Sequence, residues 1–317
     1  MRVITDQSEP AFPGERCVAT IGAYDGVHLG HQSVIEQVCR LAKEQGARSA
    51  LVTFDKHPAT VVRPESAPKL LTSPEQRLEL LEATGLDAVI LISFDEEQAA
   101  ESPQSFVERA LVGHLAVSTI VVGDDFHFGR GREGNVSMLR ELGAEHDFDV
   151  RPVELLGRAD GVDEPVSSTS IRRALAGGDV GLANAMLGRP FEVRGMVSAG
   201  DQRGRLLGFP TANVEVWNRI CLPAEGVYAG RYRRPDGSEY DCALNLGRRP
   251  TFYEHADSVL LEAHLLDFDG SLYDEEAQIR FTHFLRSERK FDGVEALIEQ
   301  LRADVENART HLIDWRA

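Results

Sequence analysis

The sequence predicts two fold classes in one chain, an α/β domain with a doubly wound parallel sheet followed by an antiparallel β-barrel with a terminal helix. Three observations support this prediction. The 317 residues suffice for two domains of ordinary size. In the first half, short apolar runs alternate with helical patterns. After about residue 190, strand-like runs are instead separated by Gly, Pro and Asp-Gly turn signals, which are typical of antiparallel sheets.

The alternation in the first half predicts parallel strands joined by helices. A helix is predicted to begin near His31, and Ser73 with Gln76 has the spacing of a capping box ahead of another helix. A further helix, ending at Gly188, closes this domain, so we expect domains at residues 1–188 and 189–317. The buried strands are predicted from apolar runs at residues 17–21, 50–54, 88–92 and 119–122.

The second half shows short runs of strand-forming residues. Pro235-Asp236-Gly237 lies between two of them and predicts a hairpin turn. Apolar residues at helical spacing between Val294 and Val305 predict a closing helix. The predicted strands cover residues 193–197, 226–232, 240–244, 260–265 and 278–284.

Composition restricts the classes of function. The 34 basic and 51 acidic residues give a net charge of −17, which disfavours broad binding to nucleic acid. Four of the basic residues are lysine, so an anion site must use arginine, backbone amides and metal ions. The four cysteines form no C-x-x-C pair, and neither a signal peptide nor an apolar run of about 18 residues is present. We therefore expect a cytoplasmic protein that binds no membrane.

Residues 22–31 follow the first predicted strand and open a predicted helix. Glycines allow a backbone to approach phosphates, and a helix N-terminus supplies oriented amides. His28 and His31 would fall on one side of the first turn, where imidazoles can donate to a triphosphate and stabilise a leaving pyrophosphate. A turn with two surface histidines and a metal pair are alternative interpretations, but the position after a strand favours nucleotide binding. This loop contains no lysine, which excludes a Walker A loop.

Two further segments of the first half have features of a ligand site. Residues 167–172 open another helix, where the hydroxyls serve either as an N-cap or, with Arg172, as an anion clamp. Residues 123–129 lie at the carboxyl end of a predicted strand, where open α/β sheets bind ligands. Phe126 and Phe128 are placed to contact a flat ring, although we expect at least one to fill the core.

The second half contains a loop rich in Gly and Arg at residues 200–213. This loop is either a long turn or a phosphate site in which Thr211 and Asn213 suit magnesium. Residues 245–252 form a second loop of similar character. On the strand that follows, alternation places Glu262 and His264 on one face. Glu262 is either a solvated strand residue or a base for a substrate hydroxyl.

Taken together, these segments resemble the prokaryotic bifunctional riboflavin kinase/FAD synthetase family. The first half matches G-x-F-D-G-V-H-x-G-H at 22–31, T-F-D-P-H-P at 53–58, D-F-x-F-G at 125–129 and S-S-T-x-I-R at 167–172, with Tyr24 for the usual Phe and Lys56 for the usual Pro. The second half matches G-R-G-R-x-L-G-F-P-T-A-N, N-I-G-x-R-P-T-F and L-E-x-H-L-L-D-F. The resemblance runs from about residue 15 to 312.

The resemblance implies a nucleotidyltransferase-like, Rossmann-like domain that adenylylates FMN to FAD and pyrophosphate, and a riboflavin kinase-like barrel that makes FMN and ADP from riboflavin and ATP. It implies Mg²⁺ in catalysis, held by Thr211 and Asn213, with Glu262 as the kinase base and His28 and His31 as catalytic groups of the adenylyltransferase. The implied adenylyltransferase residues are Gly22, Tyr24, Asp25, Gly30, Ser168, Thr169 and Arg172 for ATP, and Asp55, His57, Pro58, Asp125, Phe126 and Phe128 for FMN. The implied kinase residues are Gly200, Arg205, Gly208, Pro210, Thr211 and Asn213 for ATP, and Asn245, Arg249, Leu265, Arg286 and Phe291 for the flavin.

Two alternative functions remain at this point. The departures at Tyr24 and Lys56 suit a chain with the same fold that makes FMN but little FAD. A non-catalytic, flavin-sensing protein is the other alternative. For either function we expect a monomer or a weak homo-oligomer.

Overall fold

The structure is a computed structural model that describes residues 1–5, 7–199, 203–248 and 259–313. Contacts within the chain divide it into two compact units, Met1–Ser168 and Thr169–Ala317. This division precedes the expected boundary near residue 188 by two helices. The position at which a separable second domain begins therefore stays a prediction.

The first unit contains a six-stranded sheet whose order is β1-β4-β3-β2-β5-β8 and whose strand pairs are all parallel. The apolar runs predicted as strands are β2 to β5, and the predicted fold class is confirmed. No apolar run marks β1 or β8, because both are edge strands with exposed positions. The strands of this unit are β1 (Arg2–Ile4), β2 (Cys17–Ile21), β3 (Arg48–Phe54), β4 (Ala88–Ile92), β5 (Val117–Gly123), β6 (His127–Phe128), β7 (Gly134–Asn135) and β8 (Asp149–Val153).

Helices cover both faces of this sheet. Alternate strand residues enter two separate cores, one including Val18, Leu51 and Val89 against α1 and α3 and the other including Ala19 and Val52 against α5, its π-helical continuation and α6. The capping box of Ser73 and Gln76 at α3 is confirmed. The helices of this unit are α1 (Leu29–Gln45), α2 (Ala59–Val62), α3 (Pro74–Glu82), α4 (Glu96–Ala100), α5 (Pro103–Phe106) with its π-helical continuation Val107–His114, and α6 (Val136–His146).

The second unit contains a closed antiparallel barrel of order β10-β13-β12-β11-β14-β9, as predicted. Pro235-Asp236-Gly237 forms the turn of the β11–β12 hairpin, with Gly237 at a φ of 87°. β10 was not predicted, because it directly follows the loop rich in Gly and Arg. The elements are α7 (Ser168–Ala176), α8 (Val180–Leu187), β9 (Phe191–Ser198), α9 (Arg203–Leu206), β10 (Ala212–Val216), β11 (Gly226–Arg233), β12 (Glu239–Arg248), β13 (Val259–Leu265), β14 (Glu276–Arg286) and α10 (Val294–Ile313).

Helix α10 packs on the outside of the barrel. Ala308 and Leu312 on α10 are fully buried and form a core with Ala229 on β11 and Leu266 after β13. The amphipathic pattern thus fixes the helix against the barrel wall. Across the described residues, no helix has both the length and the apolar composition that a membrane crossing requires.

Candidate functional sites

The loop between β2 and α1 is shaped by a buried carboxylate. Asp25 accepts hydrogen bonds from the backbone N–H groups of Leu71, at 2.9 and 3.0 Å, and of Thr72, at 3.2 Å. The Thr72 hydroxyl accepts in turn from the N–H of Gly26 at 3.2 Å. Tyr24 and Val27 have φ angles of 51° and 39°, in the sparsely populated left-handed region. Asp25 therefore holds this turn against the segment before α3, a role that no local pattern indicates.

His28 and His31 lie together at the start of α1, as their spacing predicts. His28 is the N-cap residue, and its Nδ1 accepts from the backbone N–H of His31 at 3.3 Å. The two imidazoles are stacked with ring centroids 3.6 Å apart. Because Nδ1 of His28 accepts, the neutral ring carries its proton on Nε2. A Cβ on Gly30 would lie 3.2 Å from His28 Nδ1, so this glycine leaves room for the cap.

The aromatic ring of Tyr24 packs against the histidine pair. Its ring centroid lies 4.6 Å from that of His31, and its hydroxyl lies 2.7 Å from the Thr20 hydroxyl. Burial raises the pKa of Tyr24, so the phenol stays neutral. A Cβ on Gly22 would lie 3.0 Å from this ring, which explains the small residue there.

The start of α7 reaches the same loop through one hydroxyl. Ser168 donates from Oγ to the carbonyl of Asp25 at 2.9 Å. Thr169 is exposed and Arg172 is half-buried on the following turn. Ser168, one of the three expected ATP residues in this segment, is thus hydrogen-bonded to the histidine loop.

The residues after β3 form a compact turn. The Asp55 carboxylate accepts from the N–H groups of Lys56 and Phe94, at 2.8 and 2.9 Å. His57 accepts through Nδ1 from the N–H of Ala59 at 3.1 Å, and Pro58 is the N-cap of α2. The Asp55 carboxylate therefore joins the ends of β3 and β4.

Arg77 on α3 links two of these loops and was missed by the sequence reasoning. Its guanidinium donates to the carbonyls of Ala23, at 2.9 Å, and Phe54, at 2.5 Å. The residue is 7% exposed, and burial lowers its pKa against the opposing charges of Asp25 and Asp55. Arg77 lies four residues before buried Leu81, on the apolar face of α3, and this charged residue in an apolar position is the signal that could have revealed it.

In the segment after β5, Phe128 lies in the core and Phe126 lies nearer the surface. Phe128 is buried against Phe106, as expected for at least one of the pair. Phe126 is half-buried and stacks on Phe128 with ring centroids 5.5 Å apart. Asp125 is exposed beside them.

In the barrel, three polar residues lie side by side on neighbouring strands. Glu262 on β13 is the register partner of Asn213 on β10 and of Asn245 on β12. The amide of Asn245 donates from Nδ2 to Glu262 Oε2 at 3.3 Å. Leu261, Ala263 and Leu265 are buried between half-buried Glu262 and His264, so the predicted alternation of β13 is confirmed. Leu265, expected to contact the flavin, thus lies on the face opposite Glu262.

The loop before β10 is attached to the same strand face. His264 donates from Nδ1 to the Pro210 carbonyl at 2.8 Å, and its ring meets that of Phe209 edge to face. Thr211 is exposed two residues before Asn213, and residues two apart on an extended chain share a face. Arg205 is exposed, and Gly208 has a φ of 85°. Gly200 and Arg249 lie outside the described residues.

At the end of β14, two arginines flank an aromatic ring. Arg286 forms a two-point ion pair with Asp304 on α10, at 2.8 and 2.6 Å. The guanidinium carbons of Arg286 and Arg289 lie 5.9 and 4.9 Å from the Phe291 ring centroid. Two residues expected at the flavin, Arg286 and Phe291, are therefore in contact with each other.

Comparison with known proteins matches both halves separately. Residues 13–170 match the FAD synthetase family model, and residues 187–312 match the riboflavin kinase family model. A relative from Bacillus subtilis (strain 168), described as a bifunctional riboflavin kinase/FMN adenylyltransferase, is 36% identical over 95% of this chain and 94% of its own. A relative of the same description from Pseudomonas fluorescens is 40% identical over 92% of each chain. The chain belongs to this family.

One solved structure is similar in fold to this bifunctional riboflavin kinase/FMN adenylyltransferase family member over nearly all of the chain. A Streptococcus pneumoniae chain, described as a macrolide-efflux protein, has a TM-score of 0.86 and 29% identity, covering 97% of this chain and 98% of its own. Neither family model covers residues 171–186. These residues contain most of α7 and α8, which lie between the division after Ser168 and the boundary predicted near residue 188.

Proposed function

We propose that the chain phosphorylates riboflavin to FMN in its barrel and adenylylates FMN to FAD in its first unit, with ATP as donor in both reactions. The observation that carries this proposal is the row Asn213–Glu262–Asn245, in a chain that matches bifunctional relatives over more than nine-tenths of its length. A carboxylate oriented by an amide is suited to accept a proton from a hydroxyl.

In the kinase reaction, Glu262 accepts the proton of the terminal hydroxyl of riboflavin. The hydroxyl oxygen attacks the γ-phosphorus of ATP, and the bond to the bridging β-phosphate oxygen breaks to release ADP. Asn245 donates to one carboxylate oxygen of Glu262 and so fixes its orientation. The reaction joins bound groups without a covalent intermediate, so positioning supplies much of the rate.

Thr211 and Asn213 have the donor chemistry that Mg²⁺ requires. A hydroxyl and an amide oxygen lie on one face of the chain beside a carboxylate, and Mg²⁺ prefers such oxygen ligands together with phosphates and water. The described residues contain no cluster of three His, Cys, Asp or Glu side chains able to hold a metal without a substrate. When bound with ATP, the ion neutralises charge on the phosphates.

In the adenylyltransferase reaction, a phosphate oxygen of FMN attacks the α-phosphorus of ATP, and pyrophosphate leaves. His28 donates from Nε2 to the departing phosphates, and His31 lies stacked against it. The first backbone N–H groups of α1 face the same charge, as in other helix N-terminal phosphate sites. Asp55 and Phe126 belong to the loops after β3 and β5, the strands on either side of β2 in this sheet, and would border the FMN.

The alternative of a chain limited to kinase activity rests on Tyr24 and Lys56, and the local geometry favours the bifunctional function. The Tyr24 hydroxyl is paired with Thr20. Lys56 donates through its backbone N–H to Asp55, a bond that proline does not make, and its side chain is exposed. Both departures are therefore accommodated without disturbing the loops.

A single incubation distinguishes these functions. Purified protein is incubated with riboflavin, ATP and Mg²⁺, and the flavins are separated by chromatography. FMN and FAD together support the bifunctional proposal. FMN alone supports the kinase-only alternative, and unchanged riboflavin supports a flavin-sensing protein.

We also propose that the second domain is separable near residue 188. Asn184 on α8 donates to the Phe281 carbonyl at 2.9 Å and accepts from the N–H of Phe191 at 2.7 Å, which attaches this helix to the barrel. Fragments 169–317 and 189–317 should therefore both phosphorylate riboflavin, with the longer fragment unfolding at higher urea concentration. If the 169–317 fragment is folded but inactive, the assignment of riboflavin kinase activity to the barrel is wrong.

We place the protein in the cytoplasm, as a monomer or weak homo-oligomer that binds neither nucleic acid nor membrane. The net charge of −17 and the four free cysteines support this setting. Size-exclusion chromatography with light scattering measures the oligomeric state.

A further inference from the structure

Residues 286–291, which begin at the last residue of β14, connect the outer helix α10 with the face of the barrel that carries Glu262. We call them the 286–291 segment. Its first residue, Arg286, ends β14, and two residues separate its last, Phe291, from α10. Besides the pairing of Arg286 with Val227 on β11, one set of contacts runs toward α10 and another toward β12.

Helix α10 holds the segment through two polar side chains one turn apart. Asp304 is 3% exposed, and its carboxylate accepts hydrogen bonds from Nε and Nη2 of Arg286, at 2.8 and 2.6 Å. Gln300 donates to Asp304 Oδ1 at 2.7 Å, and its own carbonyl oxygen accepts from Arg289. Both arginines that flank Phe291 are thus fixed from α10, and two-point arginine–carboxylate pairs specify geometry as well as attraction.

In the other direction, Glu288 lies against β12. An added Cβ on Gly247 would come within 2.2 Å of Glu288 Oε1, so this carboxylate covers the glycine. Gly247 is two residues beyond Asn245 on the same strand and therefore on the same face as the Asn245–Glu262 pair. Burial and the charges of Glu225 and Glu262 raise the pKa of Glu288, while Arg286 opposes them, which agrees with this close approach.

We infer that Asp304, with Gln300, is a positioning residue for the flavin side of the kinase site. Asp304 fixes Arg286 and Phe291, and thereby holds Glu288 over Gly247 beside the Asn245–Glu262 pair. This inference rests on the proposed kinase function. None of the described contacts of the segment reaches Thr211 or Asn213, so the effect is confined to riboflavin and leaves the phosphate loop unchanged.

The test is Asp304→Asn, which keeps the size of the side chain and removes its charge. We expect kcat/KM for riboflavin to fall about 10- to 100-fold, since small misplacements of positioning groups cost this much. KM for ATP should stay within about twofold of wild type. Asp304→Glu, which restores the charge, should recover part of the loss. Urea unfolding of the 169–317 fragment carrying the same change reports whether the barrel itself stays folded.

Asp267→Asn is the control for the attachment of α10, at a more exposed carboxylate. It removes another ion pair of α10, in which Nη1 and Nη2 of Arg309 donate to the Asp267 carboxylate at 2.6 Å, without touching the 286–291 segment. Asp267 has a φ of 57°, a conformation that asparagine adopts readily. An equal loss in the control would show that docking of the helix, and not the segment, limits the reaction, and would overturn the inference.

Gly247→Ala changes the contact between Glu288 and Gly247 at the glycine and leaves the Arg286–Asp304 ion pair intact. The new methyl group displaces the flexible end of Glu288, so kcat/KM for riboflavin should fall and the loss should not add to that of Asp304→Asn. Wild-type kinetics for riboflavin in folded Asp304→Asn or in Gly247→Ala would overturn the inference while leaving the kinase function standing. Failure of the wild-type protein to phosphorylate riboflavin would overturn both.

Discussion

The two units build their candidate sites in different ways. In the first unit, the site lies on loops that follow parallel strands, and buried side chains such as Asp25 and Arg77 bind the backbone of those loops. In the barrel, Asn213, Glu262 and Asn245 project from paired strands and are aligned by the hydrogen-bond register itself. The loop site therefore depends on buried polar residues that hold its backbone, whereas the row on the barrel is aligned by strand pairing.

The comparison is tested most severely at Glu262, for which we expect the largest effect. Glu262→Gln keeps the hydrogen bond with Asn245 within reach but removes the base, so riboflavin phosphorylation should fall about 10²- to 10⁴-fold. Stopped assays of FMN formation measure the loss, and adenylylation of supplied FMN should persist. Glu276→Gln, on an exposed strand position of the same barrel, should leave both activities near wild type. Phosphorylation within a few-fold of wild type in Glu262→Gln would exclude Glu262 as the base.

The histidine pair gives the next largest effect. His28→Ala removes the Nε2 donor and the N-cap together, so FAD formation from FMN should fall about 10²- to 10³-fold while FMN formation continues. Single-turnover assays of pyrophosphate release measure the chemical step. His146→Ala, in the last turn of α6, is the matched histidine control. If both activities fall together in His28→Ala, His28 is needed for the folding of the protein and not specifically for adenylyl transfer.

Arg77 tests the dependence of a loop site on a remote side chain. Arg77→Met leaves the carbonyls of Ala23 and Phe54 without their donor, which should cost about 3 kcal/mol of stability in the first unit. Urea unfolding should show this loss, and FAD formation should fall while riboflavin phosphorylation is kept. The control Arg40→Met removes an exposed pair with Glu44 and should change stability little. Unchanged FAD formation in Arg77→Met would show that the loops hold their shape without it.

Tyr24 gives the smallest expected effect. Tyr24→Phe restores the residue usual in the family and loses the bond to Thr20, at a cost of about 1 kcal/mol. Because the ring beside His31 is kept, FAD formation should change by less than about twofold. Thermal unfolding and FAD assays measure both quantities. A several-fold gain in FAD formation would instead identify the hydroxyl as a restraint on the adenylyltransferase.

The sequence predicted those parts whose signal is local. Apolar runs reveal β2 and β4 because both faces of these strands are buried, while β1 and β8 lack such runs at the sheet edges. His28, His31 and Glu262 were predicted as site residues from residue type, spacing and the family resemblance, and their roles stay predictions. Arg77 and Asp304 were not, since their significance lies in contacts with backbone or side chains elsewhere in the chain. The buried partners of Asp25 could not be anticipated for the same reason.

The closed barrel also sets an order of events during synthesis of the chain. The barrel closes when β14 pairs with β9, its first strand, and the Asn213–Glu262–Asn245 row needs three strands in register. Folds dominated by such distant pairings form on the order of milliseconds to seconds, because loop closure precedes the stabilising contacts. The residues of the first unit, in contrast, are complete once Ser168 has been added. During translation, the adenylyltransferase half can therefore acquire its native structure while the ribosome is still making the strands that complete the kinase half.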